Sequence, residues 1–414
     1  MTTAPCWARV DGPLAPYADG FRAELERLGY TPLTAAVHMR LMAHLSRWLA
    51  REGTEAPGLT PAMVDAYFAE RRAAGYRGHV TGRALQPLLG YLRRLAVAPA
   101  PVAAVAADPG ERLLVRYREY LIAERSLTGT TADLNVRMVR PFLASRAAAK
   151  DGSLDLKHLT AGEVTAFVVT QSRRQPKSVK RMVTALRSLL GFLHVEGIIG
   201  QPLATAVPSA AGWTQTGLPK ALDGDQVAAL LASCDPRTRT GRRDLAILTL
   251  LARLGLRAGE VAALRLDDID WRRGEITVRG KGNRHDRLPL PAVAGRCWPM
   301  LADAGRCWPM LADAGQRIVA YLQDGRPGTA QGRAVFVRAQ APYRALASNA
   351  VTTVVVCAGR RAGLGVIGAH RLRHSAATAM LRSGGSLTEI GQTLRHARPL
   401  TTAIYATSRH VVDR

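Results

Sequence analysis

The chain is short of acidic residues. It has 32 aspartates and glutamates against 57 lysines and arginines over 414 residues, a formal net charge of +25. Such an excess repels itself in a folded protein unless a polyanion neutralises it. Nucleic acid is the natural partner, because Lys and Arg displace condensed counterions from phosphates. A coding bias toward Arg and Ala accounts for the predominance of Arg over Lys, but not for the shortage of acids. Cysteine is scarce: Cys6, Cys234, Cys297, Cys307 and Cys357 are odd in number and include no CxxC pair. Neither a disulfide framework nor a zinc site is indicated. Long apolar runs are missing too, with no stretch of the ~18 residues that a membrane span needs. The opening MTTAPCWARVDGP has no basic segment followed by an apolar core, so it does not read as a secretion signal. These absences lead us to expect a soluble, cytoplasmic protein with no membrane association. Lysine is nearly absent from the C-terminal half, where Lys281 is the only one after Lys220.

What is present is globular. Apolar residues make up 47% of the chain and charged residues 21%, ordinary values for a protein with packed cores. Two stretches break the helical patterning and read as linkers: Ala98 to Gly110 (APAPVAAVAADPG) and Gly200 to Lys220, rich in Pro, Gly, Ser and Thr. They divide the chain into pieces at 14–97, 111–199 and 221–414. The first two pieces look like divergent copies of one small helical domain. Leu59-Thr60 with Val64, Ala66 and Tyr67 matches Leu159-Thr160 with Val164, Ala166 and Phe167. Further on, Ala84-Leu85 and the run Leu88 to Leu92 match Ala185-Leu186 and Leu189 to Leu193. Basic residues lie among the apolar ones: Arg71, Arg72, Arg93 and Arg94 in the first copy, Arg173, Arg174, Lys177, Lys180 and Arg181 in the second. The second cluster is a candidate DNA-binding surface, and a solvated charged face is the plain alternative.

The third piece opens on a capping-box pattern, Asp223 with Gln226. A mostly buried helix is expected from Arg243 to Gly255. Two short strands follow, Glu275 to Arg279 and Asp286 to Leu290, joined by a turn holding Lys281. The fold class expected is mainly α with a small β-sheet in the third piece. One oddity is a perfect tandem repeat, AGRCWPMLAD at 294–303 and again at 304–313. No fold requires it. A recent duplication explains it most simply, as a lengthened loop or helix start with Trp298 and Trp308 partly exposed.

Four signals in the third piece carry chemistry. They are Leu254-Gly255-Leu256-Arg257-Ala258-Gly259-Glu260, Lys281 in the hairpin turn, His370-Arg371-Leu372-Arg373-His374, and Leu394-Arg395-His396 ahead of Tyr405. Each has an ordinary reading by itself: Arg257 capping a helix, Lys281 solvated in a turn, His374 packed as a structural residue. The pair His370 and His374 at i and i+4 invites a zinc reading, but the metalloprotease pattern needs Glu where Arg371 stands, and arginines are poor neighbours for a cation.

In order and context, these signals resemble the tyrosine recombinase (phage integrase) family. That resemblance covers 221–414 and assigns catalytic roles to Arg257, Lys281, His370, Arg373, His396 and Tyr405. It implies two N-terminal helical domains and a mixed α/β catalytic domain, the second piece being similar to the family's core-binding domain and the first an extra copy. It further implies double-stranded DNA as partner, a homotetramer or partner recombinases of the same family, and no cofactor or metal. The roles suit the residue types. Two guanidiniums can grip the non-bridging oxygens of a phosphodiester, with His396 adding a donor. Tyr405 would attack as His370 takes its proton, and Lys281 would protonate the leaving 5′-oxygen. Glu260 is placed to orient Arg257. One position departs from the family pattern: Arg395 stands where Gly is usual, which suggests an altered local backbone or an added phosphate contact. The biological role expected is integration or transposition of a mobile element. A dimer resolvase of the same family and a DNA-binding subunit that has lost catalysis are the alternatives.

Overall fold

In a computed structural model the protein is described over residues 7–100, 108–146, 154–176, 178–209, 221–280, 285–289 and 312–395. It is mainly helical with one small sheet, as the patterning implied. Among the described residues three large hydrophobic cores form, within 14–98, 113–207 and 222–372, and a small fourth cluster gathers Ala377, Leu381, Ile390 and Leu394. By compactness, 1–101 groups with 217–414 as one unit and 102–216 forms the other.

The first core is built by α1 (Ala18–Arg27), α2 (Pro32–Arg51), α3 (Pro61–Ala73) and α4 (Gly82–Arg94). Thr31 and Thr60 start α2 and α3 by accepting the N–H of Thr34 and Met63, with Pro at the first helical position of each. Those are the usual helix-starting residues: a side-chain oxygen takes an orphan donor, and Pro lacks the N–H that would go unused. The second core is built by α5 (Pro109–Ala123), α6 (Gly129–Ala144), α7 (Ala161–Arg174) and α8 (Val179–Val195). The repeated positions fall on corresponding helices of the two cores. Val64 and Val164 are buried on α3 and α7, and Leu85, Leu89 and Leu92 on α4 match buried Leu186, Leu190 and Leu193 on α8. Tyr67 is fully buried, whereas Phe167 is only partly so.

Both expected linkers are shorter than their composition suggested. Asp108 caps α5 by accepting the N–H of Glu111, so Pro109 and Gly110 belong to the helix. After α8 the chain makes a short turn at Leu203–Ala206, and Leu203 and Val207 are buried in the second core. Pro, Gly and Ser mark where a helix stops, but they say nothing about whether the next residues pack.

The third core centres on α10 (Arg239–Arg253), which is buried from Arg243 through Ala252. It begins earlier than the apolar pattern suggested, because Thr238 caps it and the first turn is exposed and polar. Arg243 and Asp244 are buried as a pair, and Arg243 also donates to the Val337 carbonyl. Ahead of it, α9 (Gly224–Ala232) has the capping box at Asp223 and Gln226. Then come α11 (Ala258–Ala263) and a three-stranded antiparallel sheet of β1 (Ile269–Asp270), β2 (Glu275–Arg279) and β3 (His285–Pro289). The sheet places Ile276 opposite Leu288 and Val278 opposite Asp286. Ile276, Val278 and Leu288 face the core, and this alternation fixes the register. The two-residue β1, paired Ile269 to Ile276, was too short to read as a strand from the sequence. Four helices complete the domain: α12 (Ala312–Asp324), α13 (Ser348–Arg361), α14 (Ala369–Arg382) and α15 (Leu387–Thr393). Of the decamer repeat, only Ala312 and Asp313 lie within the described residues, opening α12.

Candidate active site

The site assembles where α10 ends. Gly255 turns the chain with φ +59°, a left-handed conformation that favours glycine. A Cβ there would sit 2.5 Å from Leu394 Cδ2. The turn delivers Arg257 to the start of α11. Glu260 accepts the Arg257 backbone N–H at 2.8 Å and a guanidinium N–H at 2.7 Å. The capping reading and the functional reading of Arg257 are therefore compatible. Its backbone caps the helix, while its side chain remains 44% exposed and held by a buried carboxylate.

One turn into the domain's penultimate described helix, α14, Arg373 is 1% exposed. It donates to the Gly255 carbonyl at 2.5 Å and to the Leu394 carbonyl. One side chain thus ties the turn before Arg257 to the turn that follows α15. These bonds use two of the five N–H groups of a guanidinium. His370, one turn earlier on α14, is exposed at the surface of the same cluster. Partial burial, then the charges of Arg373 and Arg257, hold its imidazole below the ordinary value. His374 stacks edge-on to it at 4.4 Å between ring centroids, and burial, His370 and Arg373 push His374 down to about 4. Both shifts favour the neutral imidazole over the charged one. Among the described residues no group of His, Cys, Asp or Glu is arranged to hold a metal ion.

Arg395 is the residue whose role the sequence did not reveal. It keeps the left-handed backbone of the glycine it replaces, with φ +55°. Its side chain is 8% exposed and donates to Glu260 at 2.7 Å, with Asp286 of β3 at 3.8 Å. Burial lowers its pKa, opposed by Glu260 and Asp286 and assisted by Arg257. Glu260 therefore bridges two guanidiniums, and the contact with Asp286 brings the turn end of the β2–β3 pairing, where Arg279 faces His285, to the same place. No signal in the sequence names the partner of Arg395, because Glu260 lies 135 positions away along the chain.

Of the residues singled out from the sequence, the structure brings Arg257, His370 and Arg373 together. Lys281, His396 and Tyr405 lie outside the described residues, as does Lys177. Arg173, Arg174, Lys180 and Arg181 are exposed around the turn between α7 and α8, with no ion pair among the described residues.

The phage integrase family model matches residues 220–410. The chain is 36% identical over 403 residues to y4rA of Sinorhizobium fredii, named as an integrase/recombinase, covering 96% of this chain and 92% of that one. The chain belongs to the tyrosine recombinase family. Such recombinases are enzymes that cleave and rejoin DNA strands. The recombinase is also 30% identical over 312 residues to tyrosine recombinase XerD of Lacticaseibacillus casei, covering 72% of this chain and 96% of that protein. Among solved structures it shares its fold with XerH recombinase (TM-score 0.53, 17% identity, 73% of this chain and 94% of that one). The same holds for lambda integrase (TM-score 0.52, 16% identity, 71% and 94%).

Proposed function

We propose that this recombinase is a site-specific integrase of a mobile element that works through a 3′-phosphotyrosine intermediate at Tyr405. The observation that carries the reading is the convergence of Arg257, His370 and Arg373, with Arg257 held by Glu260. Arg257 and Arg373 would hold the non-bridging oxygens of the scissile phosphate, with His396 as a further donor. An arginine stays charged throughout, so the clamp works without a metal. Neutral His370 would take the phenol proton as Tyr405 attacks phosphorus. The P–O5′ bond breaks and Lys281 would protonate the leaving oxygen. The phosphotyrosine keeps the ester, and a free 5′-hydroxyl reverses the step on another strand.

The DNA partner and a tetrameric assembly follow from this reading. Lambda integrase has been seen as a tetramer on a Holliday junction and XerH on its difH site. Exposed Arg173, Arg174, Lys180 and Arg181, together with Lys177, would follow the phosphate backbone. The mobile-element role is favoured over dimer resolution by length. The y4rA likeness runs through the first helical domain, whereas the XerD likeness covers 72% of the chain. The test uses nicked duplexes spanning the junctions of the element that encodes the protein. The wild type should form an SDS-resistant DNA adduct and Tyr405→Phe should not. An adduct with Tyr405→Phe, or none with the wild type, overturns the mechanism. Adducts confined to a chromosome-dimer site would favour the resolvase.

A further inference from the structure

The reaction leaves the first helical domain without a task, yet that domain holds a cationic cleft. Arg40, His44 and Arg47 stand on one face of α2 at i, i+4 and i+7. Arg71 from α3, with Tyr76 and His79 beyond it, lines the same cavity of about 500 Å³. No aspartate or glutamate lines it. Arg71 is only 9% exposed, its guanidinium lies 4.0 Å from the centroid of the Tyr76 ring, and its Nε has no hydrogen-bond partner. Arg40 and Arg47 are exposed and make no ion pair among the described residues. Burial and the charges of Arg71 and Arg47 hold His44 below its ordinary pKa, as a cationic surrounding requires.

The neighbouring charges are already used. Glu70, on the same helix as Arg71, accepts from Trp48 at 2.6 Å and from Arg51 at 2.5 Å. Arg72 donates to the Val80 carbonyl, Arg93 to that of Pro99, and Arg94 pairs with Glu24. Arg72, Arg93 and Arg94 are thus tied into the domain. The cleft gathers a different set, cationic and without a counter-charge. A buried guanidinium with an unmet donor is costly unless an anion arrives.

We propose that this cleft is a binding site for the phosphate backbone of duplex DNA, giving the recombinase a DNA contact apart from its active site. Arg40 and Arg47 are separated by roughly 10 Å along the α2 axis. That span suits a stretch of backbone rather than one phosphate. Only the choice of DNA as the polyanion rests on the recombinase reading.

The experiment measures affinity of the full chain for a long random-sequence duplex against salt concentration. Neutralising Arg40→Gln with Arg47→Gln should flatten the slope of log K against log salt by about 2, since each lost phosphate contact removes roughly 0.9. Arg40→Lys with Arg47→Lys should restore the slope. Both positions are exposed, and an unchanged melting curve confirms that the fold is intact. An unchanged salt slope in the Gln pair overturns the proposal. So does saturable binding of inorganic pyrophosphate that the Gln pair abolishes while its duplex slope stays that of the wild type, because the cleft would then serve a small anion. Failure of the active-site reading shows separately, as a missing covalent adduct in a protein whose salt slope still responds to the Gln pair.

Discussion

Glu260 is the most informative residue to perturb. Its carboxylate is 5% exposed and accepts from the Arg257 backbone, the Arg257 guanidinium and the Arg395 guanidinium, each at 2.7 or 2.8 Å. Replacing it by Ala leaves Arg395 buried beside Asp286, 3.8 Å away and itself 38% exposed. Removing one partner of a buried ion pair costs about 3–5 kcal/mol, chiefly because the other charge stays uncompensated. If that is the reason here, removing Arg395 as well should recover part of the loss. The assay is urea denaturation of the wild type, Glu260→Ala, Arg395→Met and the double variant. We expect Glu260→Ala to lose about 3 kcal/mol or more, with the double variant better than the sum of the singles by about 1–3 kcal/mol. Arg395→Met alone should cost less, because Glu260 keeps both bonds from Arg257. Losses that add within about 0.5 kcal/mol would refute the coupling. In cleavage assays, Glu260→Gln should slow adduct formation more than it weakens DNA binding, because it loosens the clamp rather than removing a backbone contact.

Further outcomes follow from the same geometry. Gly255→Ala should destabilise by at least about 1–2 kcal/mol by denaturation, from the left-handed backbone alone, before the clash with Leu394 is counted. Arg373→Lys should not rescue Arg373→Ala in adduct formation, because an ammonium cannot reach the Gly255 and Leu394 carbonyls as a planar fork does. Stability should fall on acidification. With His374 held at about 4 against an ordinary 6.5, the unfolded chain binds more protons across that window, so unfolding is favoured as pH drops through it. Melting temperatures measured between pH 7 and 4 should decline, and His374→Gln should flatten the decline. Deleting one copy of the decamer at 294–313 should leave the adduct yield intact if the repeat is only a lengthened connection. A gain in yield on deletion would show that it impairs the enzyme.

Much of this was legible because it is local. Asp223 with Gln226 announces a helix start, and alternation of Ile276 and Val278 announces a strand with one buried face. The spacing of Arg257 to Glu260 is a single helical turn, so their contact is written in the order of residues. The linkers misled because proline and glycine report a break in hydrogen bonding, not solvation, and Leu203 and Val207 pack regardless. The basic residues of the first domain make a related point. Nearness in sequence does not say which arginines find a carbonyl or carboxylate, and Arg72, Arg93 and Arg94 do.

By itself, then, the sequence determined the helical class, the small sheet, the order of the motif residues and the shortage of acids that makes a polyanion the partner. These depend on short-range periodicity and on composition. The tertiary structure alone decided that Arg395 meets Glu260 across 135 positions and that Arg373 holds the carbonyl of Gly255 across 118. Contacts at that separation are set by how α11, α14 and the turn after α15 pack on α10, and no local pattern encodes that packing. It turns an arginine in a glycine's place from an anomaly into the second cation on a shared carboxylate.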